Sequence, residues 1–326
     1  MLKRLSKTGF FLQFIIFLAI GTVLWFPAFI QPVSPAGTNL SGPLYDAVMT
    51  WLQGNLLVSA IIAALLVISQ AFLLHVLLAS HDLLSRDSFI DAIIYLVLMS
   101  WQPAMLCLHP ALPAGILILL SLFMIMKMYG ETDPNKHVFT ASFSIAIASL
   151  FYQPAIYFMA GLWFCLFTYR ITSWREWFIT IIGLILPLVY LFSYYYWQGS
   201  VNQGLDMVER SLTDQFSSNI HFSSAEWVFL VSALFMMVVT SLITLNSIQD
   251  KVISIRRKNW IIFDFAIAGL LILFVAIGTL KSGLYLVMMP LAYFLTYAAI
   301  SVKKSRISDL IVLVFVLLVI VLHYLI

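Results

Sequence analysis

An all-α bundle that crosses a bilayer repeatedly is the fold this sequence predicts, and two observations carry it. Apolar residues make up 63% of the chain and charged residues only 10%, with a mean hydropathy of +1.03, so a water-facing surface could not be covered. The scarce charges are also sorted. When the chain is threaded back and forth, all but two of its 17 Lys and Arg residues fall on the same side. The net charge of +3 is then a signal of orientation and implies no nucleic-acid partner.

Eleven apolar spans are expected. They run Phe10 to Ile30, Leu56 to Ala79, Phe89 to Leu106, Ala111 to Met126, Phe139 to Leu150, Ala155 to Thr168, Phe178 to Trp197, Trp227 to Ser247, Ile261 to Gly278, Leu284 to Ile300 and Leu310 to Leu325. Lys3, Arg4 and Lys7 open the inner side and only Arg210 and Lys281 fall outside, which sets the N-terminus in and the C-terminus out. The first span follows a basic stretch, but its apolar run of about twenty residues exceeds a signal-peptide core, so it reads as a retained helix. Residues 1–326 thus form one integral membrane domain, expected in a bacterial inner membrane. Cys107 and Cys165 lie at different expected depths and offer neither a disulfide framework nor a metal spacing.

Local chemistry accounts for several span starts. Ser223 and Glu226, flanked by Phe222 and Trp227, form a capping box with a hydrophobic staple, and Ser173 with Glu176 repeats the box ahead of the seventh span. Such carboxylates satisfy free backbone N–H groups at the positive end of a helix dipole, a structural role that suffices to explain them. Trp174, Trp177, Trp227 and Trp260 fall at expected interfaces, where indole rings concentrate. Asp264 lies about one turn below the inner boundary, within reach of Arg256 or Arg257. His75, with Gln70 nearby, is expected to hydrogen-bond to another helix.

The chain also contains an internal echo. Trp101-Gln102-Pro103-Ala104 recurs as Tyr152-Gln153-Pro154-Ala155, each at the expected outer tip of a helical hairpin. Asp91 and Lys127 enclose 35 residues, His137 and Arg170 enclose 32, whereas two crossings and a turn take about 42. Three arrangements meet that shortage: a locally thin bilayer, tips that stop short and floor an outward cavity, or Gln-Pro turns that reach the headgroups. A proline tip leaves carbonyls that lipid cannot satisfy, so a recess would be wet or lined by protein.

Two outer loops complete the outward side. Gln31 to Gln53 holds Pro32, Pro35, Gly37 and Gly42, then turns amphipathic, with Leu44, Val48, Trp51 and Leu52 opposite Asp46, Thr50 and Gln53. Pro43 suits the first position of a helix lying in the interface. Gln198 to Ser224 holds a second amphipathic stretch, with Leu205, Val208, Leu212 and Phe216 opposite Asp206, Glu209, Arg210 and Asp214. As the two outer cations, Arg210 and Lys281 suit a lipid phosphate while an acid serves as base; solvated loop polarity is the competing reading of each. Lys281 stands out because a lone Lys in the turn Thr279 to Gly283 breaks the charge rule. No HExxH, GxxxxGK[ST], GxSxG or CxxC occurs, so nucleotide-driven and metal-hydrolase readings have no motif behind them, and no cofactor is specified.

The stretch from Ala148 to Ala155, then Ser173 to Phe178, and Gly183 through Pro187 to the Ser193–Trp197 aromatic run resembles an uncharacterised Bacteroidota family of polytopic inner-membrane proteins. Pro43 to Tyr45 and Gln70 to Leu78 are compatible with it. The architecture also resembles multi-spanning glycosyltransferases that use polyprenyl-phosphate sugars and place an acid on the first outer loop, the position of Asp46. That resemblance implies an outward cavity handling a lipid-linked glycan or similar amphiphile. Asp46 would be the base, with Arg210, Lys281, Glu209, Gln102 and Gln153 about the substrate and membrane lipids as partners. The rival from another class is a non-catalytic subunit or scaffold of a cell-envelope assembly, bound to other membrane subunits. A transporter is the third reading, disfavoured because no span joins buried charge to a broken apolar helix at mid-depth.

Overall fold

The computed structural model describes residues 9–34, 41–52, 54–86, 88–171, 173–202, 223–275, 280–300 and 306–325. Helix accounts for 83% of the structure, and no strand forms among the described residues. In chain order the helices are α1 Phe10–Ile30, α2 Pro43–Trp51, α3 Leu56–Ser80, α4 Ile90–Met99, α5 Ala111–Lys127 and α6 Asn135–Phe151. They continue as α7 Phe158–Thr168, α8 Trp174–Trp197, α9 Ser224–Ile248, α10 Ile253–Val275, α11 Leu280–Ile300 and α12 Arg306–Leu325. Short 3-10 turns, Pro103–Met105 and Gln153–Tyr157, follow the two echoed motifs.

Six of these helices, α1, α3, α8, α9, α10 and α11, are long and apolar enough to cross a membrane. The side chains say what solvent surrounds them. On α12, Val312, Phe315, Val319 and Leu322 are buried, while the opposite face exposes Leu310, Val314, Leu317 and Val321. A helix apolar on both its packed and its exposed face is stable where the surroundings are lipid. α8 exposes Ile182, Val189 and Tyr190 in the same way. The centre of the bundle is α11, 94% of whose spanning window is buried, packed against α4, every residue of which is buried.

Two helix ends depart clearly from the expected spans. α10 starts at Ile253, ahead of the apolar run from Ile261, because Arg256, Arg257 and Lys258 continue the helix beyond the apolar layer. The third expected span, Phe89 to Leu106, is not one helix, since α4 ends at Met99. At its start the Phe89 N–H donates to Gln13 Oε1 at 2.6 Å, and at its end Trp25 Nε1 donates to Ser100 Oγ at 3.0 Å. α4 therefore rises beside α1 from Gln13 to Trp25, about 18 Å of a helix about 32 Å long. Beyond Met99 the chain leaves the helix, with Gln102 extended, and extended chain advances about 3.3 Å per residue, against 1.5 Å in a helix. The Gln102 amide meets the Glu226 carboxylate in the first turn of α9, which ties the first tip to the start of that helix.

Buried polar groups stitch the helices together. His75 Nδ1 pairs with Asp91 at 3.0 Å, and Tyr95 donates to Gln70, whose amide in turn donates to the Leu112 carbonyl. Asp264 takes its hydrogen bond from Thr168 Oγ1 at 2.8 Å on α7, not from Arg256 or Arg257 as expected. The second expected capping box also differs: Ser173 Oγ turns to the Glu176 carboxylate and makes no bond to the backbone.

Candidate functional site

The site is built on the capping box that starts α9. Ser223 Oγ accepts the Glu226 N–H at 3.3 Å, and the Ser223 N–H donates to Glu226 Oε2 at 2.8 Å. The box fixes the carboxylate and leaves its second oxygen for other partners. Glu226 Oε1 accepts from the Gln102 amide of the first tip and from Lys281 Nζ at 2.6 Å. One carboxylate thus joins α9, a hairpin tip and the first turn of α11, elements far apart in the chain. Trp101 stacks on Phe229, one turn further along α9, with ring centroids 4.0 Å apart, which holds the tip in register.

Further down α11, Tyr285 packs against His109 with ring centroids 4.3 Å apart. Both nitrogens of His109, the Tyr285 hydroxyl, Trp101 Nε1 and Gln102 Oε1 are buried without a hydrogen-bond partner among the described residues. Buried polar groups are ordinarily paired, which sets these five atoms beside the ion pair apart from most of the core. Burial holds the His109 pKa down to about 3, so the ring is neutral and offers one donor and one acceptor.

Helix α2 lies across both tips. Gly42 caps it and Pro43 takes its first position. The Gly42 N–H donates to the Phe151 carbonyl at 2.9 Å, while Tyr45 donates to the Leu108 carbonyl at 2.8 Å, so α2 is tied to the second tip and the first. A Cβ on Gly42 would meet the Leu150 carbonyl oxygen at 2.0 Å, which is why the approach requires glycine. Tyr152 of the second tip reaches Gly283 on α11, so both tips converge on the same two turns.

The expected site residues divide accordingly. Gln102 and Lys281 meet through Glu226. Asp46, in the first turn of α2, is exposed and accepts from Ser41 Oγ at 2.7 Å, with Tyr195 at the outer end of α8 within its electrostatic reach. Gln153 lies at the second tip with a buried, unpartnered Oε1. Glu209 and Arg210 lie outside the described residues. Tyr285 and Trp101 join the site without a signal in the sequence, whereas Glu226 and His109 are among the ionisable residues that the sequence places in the expected outer loops and hairpin tips. The available signal was that Lys281 is one of only two cations, and Glu226 one of a few acids, that the sequence assigns to the expected outer side. Among the described residues no three His, Cys, Asp or Glu side chains gather as metal ligands.

Together the fold and the site define a helical membrane protein with a polar cluster at one end of its bundle. The chain matches no protein-family model, no curated protein and no solved structure.

Proposed function

We propose that the chain crosses a bacterial inner membrane eleven times, N-terminus in and C-terminus out, and handles a lipid-linked glycan or similar amphiphile at its outward end. The observation that carries this reading is the set of buried, unpartnered polar atoms on Trp101, Gln102, His109 and Tyr285 beside the Glu226–Lys281 pair. A cluster with only a packing role would leave few such groups unsatisfied. The hydroxyls and phosphate of a glycan carrier supply the matching donors and acceptors, and the apolar faces of α1 and α8 accommodate its chain. In the catalytic form of this reading Asp46 is the base, with Lys281, Arg210, Glu209 and Gln153 about the substrate. A second reading, a non-catalytic subunit of an envelope assembly, is favoured by Asp46 facing outward on Ser41 and by Lys281 already holding a carboxylate. Lipid extraction and mass spectrometry of the purified protein decide between them. The amphiphile-handling reading expects a polyprenyl-phosphate glycan with the parent protein and its loss in His109→Ala; the catalytic form further expects it to accumulate unprocessed in Asp46→Asn. No carrier lipid in any sample leaves the subunit reading standing.

A further inference from the structure

At the end of the bundle opposite Glu226, a cleft of about 550 Å³ opens between the α5–α6 turn, the α7–α8 turn and the start of α10. Tyr129, Glu131, Tyr169, Arg170, Glu176 and Arg257 are among its walls, and the outward function uses none of them. Three features suit it to a ligand. Neither Arg170 nor Arg257 forms an ion pair with a described residue; Arg257 lies instead 5.8 Å from the ring centroid of Tyr129. Tyr169, packed on Tyr129 at 5.6 Å and only 8% exposed, carries a hydroxyl with no hydrogen-bond partner among the described residues. The first turn of α8 has no side-chain cap, because the Ser173 hydroxyl is turned to Glu176, so its amides are free to accept an anion.

The charge balance narrows the ligand. Two guanidiniums would repel a simple cation, and two carboxylates, Glu131 and Glu176, would repel a simple anion; a compact zwitterion suits both. Exposed Trp174 and Phe178 on the same first turns of α8 mark the level of the lipid headgroups. We propose that this cleft binds the headgroup of a phosphatidylethanolamine molecule, its phosphodiester held by Arg170, Arg257 and the α8 amides and its ammonium by Glu131 and the tyrosine rings.

Native mass spectrometry of the whole protein in detergent tests this, with titrations of phosphatidylethanolamine, phosphatidylglycerol and water-soluble glycerophosphoethanolamine. The expected result is at least fivefold tighter binding of phosphatidylethanolamine than of phosphatidylglycerol, a loss of at least fivefold in Arg257→Gln, and loss of the preference in Glu131→Gln. Tyr169→Phe gives a readout a packing role would not move: weaker lipid binding with an unfolding temperature equal to or above the parent's, since the hydroxyl removed is unpartnered among the described residues. Equal affinity for the two phospholipids, or undiminished binding in folded Arg257→Gln and Tyr169→Phe, overturns the proposal. Displacement of the lipid by equimolar glycerophosphoethanolamine overturns the lipid as the source of the headgroup.

Discussion

Lys281 sits where a lysine should not, in the first turn of α11, at the end of the helix dipole that repels cations. Glu226 Oε1 at 2.6 Å offsets that repulsion. The Lys281 side chain is 36% exposed while its partner's is 5%, so water keeps part of the ammonium's solvation and the pair is worth less than a fully buried one. Lys281→Met should therefore lower stability by about 1–2 kcal/mol, short of the 3–5 seen when fully buried pairs are broken, and adding Glu226→Gln should recover part of it. Thermal unfolding of the four proteins in one detergent checks this cycle. His109 gives a pH dependence. Its folded pKa is depressed to about 3 against about 6.5 when unfolded, so below pH 6.5 the unfolded chain binds the extra proton and stability falls towards pH 3, with no change above. His81 acts in the same direction, held down to about 4 by burial and by Lys258 and Lys127. Denaturation midpoints measured from pH 4 to 8 should rise to a plateau near neutrality, with a shallower rise in His109→Gln. Lys281 was legible in the sequence as a charge out of place. Its partner was not, because a capping box fully explained Glu226, and no local pattern joins residues as distant as Gln102 and Glu226.

Among elements, each apolar run that the sequence marks contains a helix, since apolarity over many residues leaves the backbone no other way to satisfy itself in lipid. Where the helices stop was less legible. Apolarity measures depth in the membrane, and α10 runs on past it through Arg256 and Arg257, whereas α4 stops at Met99, just before the Ser100–Pro103 interruption of its apolar stretch. What ends α4 is the tip: Trp101 on Phe229 and Gln102 on Glu226 hold the chain in extended form ahead of Pro103, and proline disfavours helix in the residue before it. The strap formed by α2 depends on one backbone approach. Gly42→Ala should cost about 1–3 kcal/mol by driving Cβ into the Leu150 carbonyl, and should make the Gln31 to Gln53 segment more open to protease. Unfolding and limited proteolysis of the variant read both effects. A variant as stable and as resistant as the parent would mean that α2 does not lie against the second tip.

For the whole molecule, the six long helices make membrane insertion plain, and the charge distribution orients the proposed threading. Cysteines introduced at Ser34 and Ser217 should react with an impermeant maleimide in intact cells, and one at Ser305 only after lysis; labelling at Ser305 from outside sinks the eleven-crossing arrangement. The ten residues of α4 bear on how such a protein is made. A segment spanning about 15 Å is too short to partition into a bilayer alone, and α4 finds its neighbours in α1, α3 and, near the end of synthesis, α11. Its seat is complete only once α11 and then α12, which also packs against it, have been made, so until then the insertion machinery must hold an unfinished hairpin. Biogenesis of this chain is accordingly a post-translational event at its centre, however early its first helix enters the membrane.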